Sequence, residues 1–250
     1  MAADTLSRPF GCVPEDLEFD FAHADRPVLV TQLLAACAGA VGECEGGERQ
    51  HGWWHQPVGA RIAALLSLLR ASDGHESRTV TLRCPGCDET FEIELSHQAI
   101  AALQPAPADV KVPRDGAAPL TLRLPTGDDL RAWRTQEAAP RDETFQSMLA
   151  RLCVGAVPQP GDERAAAEAL ALADPLVSFT VECACPTCGA QASPEVDLEG
   201  LALRHLAARQ RSLLHEVHVL ASRYGWTEAE ILAIAPARRA KYLDLIEGSV

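Results

Sequence analysis

The sequence predicts an α+β fold, and three observations predict it. Apolar residues recur at helical spacing before residue 70 and again after residue 198. Between these stretches the period changes to strand-like alternation leading into and out of a Cys-Pro-x-Cys turn. A second such turn follows about a hundred residues later, so the intervening region is an insert. At 250 residues, 47% apolar and 23% charged, the chain is long and apolar enough to bury a core.

Residues 1–25 read as irregular, with Pro9, Gly11 and Pro14 as breakers. A first helix opens at Pro27, a favourable first-turn residue, and runs to about Ala38 with Val30, Leu33, Leu34 and Cys37 on one face. Residues 39–56, rich in Gly, Glu and His, read as a loop. A second helix starts near Pro57 and carries Ile62, Leu65, Leu66 and Leu69 to Arg70. Thr79–Arg83 and Thr90–Leu95 alternate on either side of Cys84 and Cys87. Val177–Glu182 leads into Cys185 and Cys188, and a weaker return strand near 190–196 is limited by Pro194.

Within the insert, 104–119 is Pro/Ala-rich, Leu120–Leu124 is a short strand, and Thr126 opens a helix through Leu130 and Trp133. Further helices are expected at 142–154 and 162–173. A long helix from Leu198 to Tyr224 stops at Gly225. Thr227 and Glu230 form a capping box for a short helix, and Pro236 opens the last one. The expected organisation is therefore a helical segment at 1–75 and a split ribbon from 76–98 with 176–197. An inserted strand/helix region occupies 99–175, and a helical docking module 198–250.

The cysteines carry the chemistry. A CxxC turn between strands presents two sulfurs at one tip, and a structural zinc takes four ligands in a tetrahedron. Cys84, Cys87, Cys185 and Cys188 supply four, so the simplest reading is one structural Zn2+ ribbon split by the insert. The residue after each second cysteine is expected at positive φ, which Gly189 meets freely and Asp88 tolerates. A redox pair would instead open a helix after a strand. Cys183, two residues before Cys185, shares its strand face and stands as an alternative ligand. Cys44, His51 and His55 form a loose second set in a loop read mainly as solvated. Cys12, Cys37 and Cys153 read as small core residues. His215-Glu216-Val217-His218 lacks the spacing of zinc proteases. No phosphate loop, nucleophile elbow or Ser/His/Asp set appears, and no enzyme is expected.

The charge is uneven. The last 50 residues hold seven Lys/Arg against five Asp/Glu, and the other 200 hold 15 against 30. A net charge of −13 argues against nucleic-acid binding, which needs cations to displace counterions from phosphates. No apolar run is long enough to span a bilayer, and the start of the chain lacks the basic and apolar regions of a signal peptide. Aromatics are only 5% of the chain, yet Tyr224, Trp226 and Tyr242 cluster with Arg238 and Arg239. The cluster reads equally as a small helical core with a basic rim and as a partner-docking surface.

The block from His215 to Leu232, followed by Arg238-Arg239 and Tyr242-Leu243, resembles a short module of bacterial contractile injection systems and tailed phages. The order of parts resembles a zinc-knuckle protein of those clusters, grouped with T4-type baseplate proteins. It runs from Pro57-Val58-Gly59-x-Arg61 through a Cys-Pro-x-Cys hairpin and Leu124-Pro125-Thr126-Gly127-Asp128-Asp129-Leu130 to a second such hairpin and a helical tail. The resemblance covers most of 25–247. It implies a non-enzymatic component or assembly chaperone of a contractile injection baseplate, with other baseplate or tail-assembly proteins as partners. The implied location is the bacterial cytoplasm, or an assembled injection particle that carries the protein. A zinc-ribbon nucleic-acid-binding regulator and a thiol or metal enzyme are the rival classes.

Overall fold

The computed structural model describes residues 8–23, 25–38, 52–103, 109–114, 118–135 and 141–248. The fold is α+β: helices packed with three two-stranded antiparallel sheets among the described residues.

Helix α1 (Arg26–Cys37) starts where Asp25 accepts the Val28 N–H and Pro27 occupies the first turn. Helix α2 (Val58–Asp73) follows Pro57 and ends at Gly74. They pack through Leu33, Leu34, Leu65, Leu68 and Leu69, all fully buried. Each such leucine contributes about 1.5–3 kcal/mol relative to an exposed one. Strands β1 (Ser77–Arg83) and β2 (Thr90–Ser96) pair over seven residues and set Val80, Leu82 and Leu95 on this core. Ser96 caps the short α3 (His97–Ala101).

The insert has its own core. Strands β3 (Asp109–Val112) and β4 (Leu120–Arg123) form a hairpin that α5 (Arg141–Leu152) and α6 (Asp162–Ala173) cover. Val110, Val112, Leu120, Leu122, Leu149, Leu152 and Ala166 fill the space between them. β3 lies in the stretch read from sequence only as Pro/Ala-rich, because a four-residue strand shows just two alternations.

Helix α4 (Gly127–Arg134) joins insert to body. Thr126 bridges Pro57, Val58 N–H donates to Pro125 O, and Gly127 N–H donates to Gln56 O. The fully buried Arg61 lies beneath, donating to Trp53 O, Pro27 O and Thr31 Oγ1, each at 2.9 Å. A Cβ at Gly127 would fall 2.1 Å from Arg61 Nη1, so only glycine fits there. The Pro57–Arg61 and Leu124–Leu130 segments are thus two halves of one packed joint. Residues 52–54, expected in a loop, form a helical turn whose Trp53 and Trp54 are buried.

Helix α7 (Leu198–Tyr224) serves both ends of the molecule. Leu198, Leu201, Ala202 and Leu206 belong to the large core. Further along, Gln210 donates its amide to the carbonyls of Asp16, Leu17 and Phe19, which pins the 3-10 turn Pro14–Glu18. Asp16, fully buried, organises that segment by accepting from the Arg8 guanidinium and from the Gly11 and Cys12 N–H groups. Helices α8 (Glu228–Ala233) and α9 (Pro236–Glu247) fold back on the far half of α7.

Candidate metal centre

β1 ends at Arg83 and delivers Cys84 to the tip of the first hairpin. Cys84 N–H donates to Glu89 O, and Asp88 N–H donates back to Cys84 O, both at 2.9 Å. This closure puts Asp88 at φ 66°, the only non-glycine residue at positive φ among those described. Gly86 N–H donates to the Cys84 sulfur at 3.3 Å.

The second turn repeats the pattern. Strands β5 (Cys183–Ala184) and β6 (Gln191–Ala192) flank it. Cys185 N–H donates to Ala190 O, and Gly189 N–H donates to Cys185 O, again at 2.9 Å. Gly189 stands at φ 72°, as the sequence predicts.

The two tips meet. Cys84 Sγ lies 3.6 Å from Cys188 Sγ, and Cys87 Sγ lies 3.7 Å from Cys185 Sγ. All four sulfurs lie within 4.8 Å of one another. A disulfide requires about 2.05 Å, so the pairs are not bonded. Metal–sulfur bonds of about 2.3 Å in a tetrahedron give an edge of about 3.8 Å, close to these contacts. The four thiols can therefore hold a metal ion. Gly86 lets the tips approach: a Cβ there would lie 3.2 Å from Ala190 Cβ and 3.6–3.7 Å from Cys188 and Cys84 Sγ.

The electrostatics ask for a cation. N–H groups of Cys188 and Thr187 donate to the Cys185 sulfur and, with Cys84 and Cys87, pull its thiol down to about 6. Cys87 has the Glu89 N–H in its favour, but desolvation and the three neighbouring cysteines push it up to about 12. Four thiolates cannot share so small a space without a positive charge among them.

This is the one cluster of three or more Cys, His, Asp or Glu fit for a metal among the described residues. Cys183 stands apart from it, with its sulfur near Ala192 O. Cys44 and His51 lie outside the described residues; His55 faces Asp128, Nδ1 to Oδ2 at 2.8 Å. Cys37 is buried as expected, but burial also pushes its thiol up to about 12. Cys12, expected in a core, is exposed, because the turn that Asp16 ties together carries it outward. Cys153 is half-buried at the edge of the small core. His215 and His218 lie exposed on α7.

The aromatic cluster forms where α7 ends and α9 folds back. Tyr224 and Trp226 stack at 4.6 Å, and Tyr242 meets Trp226 edge-on at 5.1 Å. Arg238 lies over the Tyr242 ring and donates to its hydroxyl at 3.0 Å. Arg239, grouped with them from sequence as a docking residue, is 1% exposed. It pairs with Glu216 and donates to Leu232 O and Ile234 O, where α8 leaves carbonyls without partners. Arg239 is thus structural, and it is the residue that clamps α9 to α7 and α8.

The sequence reading missed Arg61, Asp16 and the two tryptophans. Adjacent tryptophans in a chain with few aromatics were the available signal for a buried helical turn at 52–54. Comparison with protein-family models, curated proteins and solved structures finds no match. No helix among the described residues is long and apolar enough to cross a membrane.

Proposed function

We propose that this chain is a zinc-stapled, non-enzymatic scaffold. More particularly, we propose that it is a structural part or assembly chaperone of a contractile, phage-tail-like injection baseplate. The observation that carries the scaffold reading is the convergence of Cys84, Cys87, Cys185 and Cys188 at tetrahedral spacing. Four thiolates fill a zinc shell and leave no open position for substrate or water. Zinc bound there supplies a cross-link between segments about a hundred residues apart and neutralises the thiolates.

The baseplate reading rests on the order of motifs, and two features support it. The Pro57–Arg61 and Leu124–Leu130 segments pack as a joint and need no catalytic role. Tyr224, Trp226, Arg238 and Tyr242 present a partly exposed aromatic and basic surface at the end of a long helix, suited to docking another baseplate protein.

Purified injection particles and a deletion strain test the proposal together. Presence of the protein in finished particles supports a structural part. Presence only on assembly intermediates, with failed assembly in the deletion strain, supports a chaperone. Absence from both, with normal assembly, overturns the baseplate reading. X-ray absorption tests the scaffold separately: four sulfurs per zinc are expected, and a mixed or open shell overturns it.

A further inference from the structure

A second cluster of charge lies away from the cysteines, on the outer side of the joint between body and insert. His55, α4 with the residues just before it, and Arg151 enclose an open cleft of about 610 Å3. Its charged lining is His55, Arg123, Asp128, Asp129, Arg131 and Arg151. Three guanidinium groups face two carboxylates, so the cleft carries a formal positive excess on a chain of net charge −13.

These charges are not equally committed. Asp129 is fully buried, and its oxygens accept from Arg123 Nη1 and Nη2, Arg151 Nε, and the Thr126 N–H and hydroxyl. Burial works against its charge, but the Arg123, Thr126 and Arg151 donors prevail and hold the carboxyl well below the usual range. A carboxylate with five donors has no capacity left. Arg123 is also spent, since its two terminal nitrogens further donate to Leu124 O and Arg151 O.

Arg151 and Arg131 are different. Arg151 uses only Nε on Asp129, and its terminal nitrogens have no acceptor among the described residues. Arg131 spends Nη2 on Asp128 and lies 4.6 Å over the Trp54 ring, which leaves Nε and Nη1 open. Both side chains are about half exposed, 44% and 53%. The cleft therefore holds two planar guanidinium groups with spare donors, oriented from behind by Asp129 and by Trp54.

The geometry points to an oxyanion-binding site whose ligand is a carboxylate or a phosphate held between Arg151 and Arg131. Guanidinium forks match the planar spacing of such oxygens, and charge-assisted bonds of this kind are the strong ones. Asp128 is the built-in competitor, because it already occupies one face of Arg131 and of His55. No part of this site uses the metal centre, so it stands or falls independently of the scaffold reading.

Trp54 under Arg131 supplies the readout. The metal-loaded full chain is titrated at low ionic strength with inorganic phosphate and, separately, with citrate, while tryptophan fluorescence is followed against chloride at matched ionic strength. Saturable binding of at least one anion is expected, and whichever binds more tightly names the source. Arg131→Gln is expected to weaken it about tenfold, and Arg151→Gln by at least as much. Asp128→Asn is expected to tighten it about threefold, since it removes the competing carboxylate. That opposite sign keeps the test informative even where Arg151→Gln loosens the fold by stranding Asp129. No saturable response up to about 10 mM, an equal response to chloride, or Asp128→Asn and Arg131→Gln shifting binding in the same direction would each overturn the site.

Discussion

The two cysteine turns have the same backbone and very different arms. In each, the first cysteine N–H is held by a carbonyl five residues on, and the residue after the second cysteine takes positive φ. The first turn sits on seven consecutive strand pairs, with Val80, Leu82 and Leu95 in the large core. The second sits on two pairs, and the rest of its arms is held by the Thr180–Glu195 bridge and bonds such as Val196 N–H to Phe179 O. Pro194 has no N–H to give to a ladder. The turn is thus a local product of its own six residues, whereas strand length follows from what the arms can bury. Val196 is buried in the same large core, and Phe179, Val181 and Cys183 are half-buried against it, so the second turn also has packing. With only two ladder pairs it leans more than the first on the sulfurs the two share.

The largest expected effect breaks that dependence. Cys84→Ser and Cys188→Ser should each lower zinc content below one per chain and lower Tm by about 10 °C, the buried Cys84 being the worse loss. Chelation of the wild type should act unevenly. Amide hydrogen exchange across 178–195 should rise sharply, while 77–96 keeps most of its protection because the large core still holds β1 and β2. Equal loss of protection in both hairpins would mean that the metal organises the first arm too. Full zinc retention in either serine variant would rule out a single shared centre.

What could be read from the sequence has the same division. Features set within a few residues were legible: the cysteine turns, positive φ at Asp88 and Gly189, the Thr227–Glu230 capping box, and α7 from Leu198 to Tyr224. Features that depend on distant partners were not. Nothing local marks Arg61 as buried, because its acceptors come from residues 27, 31 and 53 and its roof is Gly127. The sequence groups Arg239 with a docking surface because an arginine beside aromatics looks like an interface anchor. Only the folded α8 shows the carbonyls it satisfies. Asp16 escapes a sequence reading for a related reason, since it stands among Glu15, Glu18 and Asp20 and nothing local marks which acid is buried.

A smaller effect separates the turns from their arms. Gly189 has open space around it, so Gly189→Ala tests backbone conformation alone. It should cost about 1 kcal/mol, the penalty for placing a Cβ in the left-handed region. Asp88→Gly makes the opposite change in the first turn, but it adds unfolded-state entropy and removes the exposed Arg83 ion pair. Its net effect should fall within about 0.5 kcal/mol of zero. Chemical denaturation of the metal-loaded proteins measures both. Similar losses in the two variants would show that the turns are not equivalent after all.

An effect of similar size concerns how the second arm leaves its turn. After Val196 the chain enters α7 through Asp197, whose carboxylate accepts the Gly200 N–H and pairs with Arg26 at the start of α1. Partial burial opposes its charge, yet the Arg26 and Gly200 donors prevail and the folded-state pKa is lowered. A lowered pKa means that this stabilisation is complete above the unfolded value of about 3.9 and disappears as pH falls through the folded one. The side chain is 53% exposed, so solvent screens the ion pair, and most of the expected loss is the helix cap, about 1 kcal/mol. Asp197→Ala should therefore lower Tm by about 3 °C near neutrality, and the difference from wild type should shrink below about pH 4. Any metal held by the four cysteines would leave both proteins alike on acidification, so that difference isolates the carboxylate. Exchange should rise at 194–201 and stay unchanged at 77–96, since only the second arm runs directly into this cap. A pH-independent difference would assign the loss to packing, and an effect on the first hairpin would show that the two arms are coupled through the body as well as through the metal.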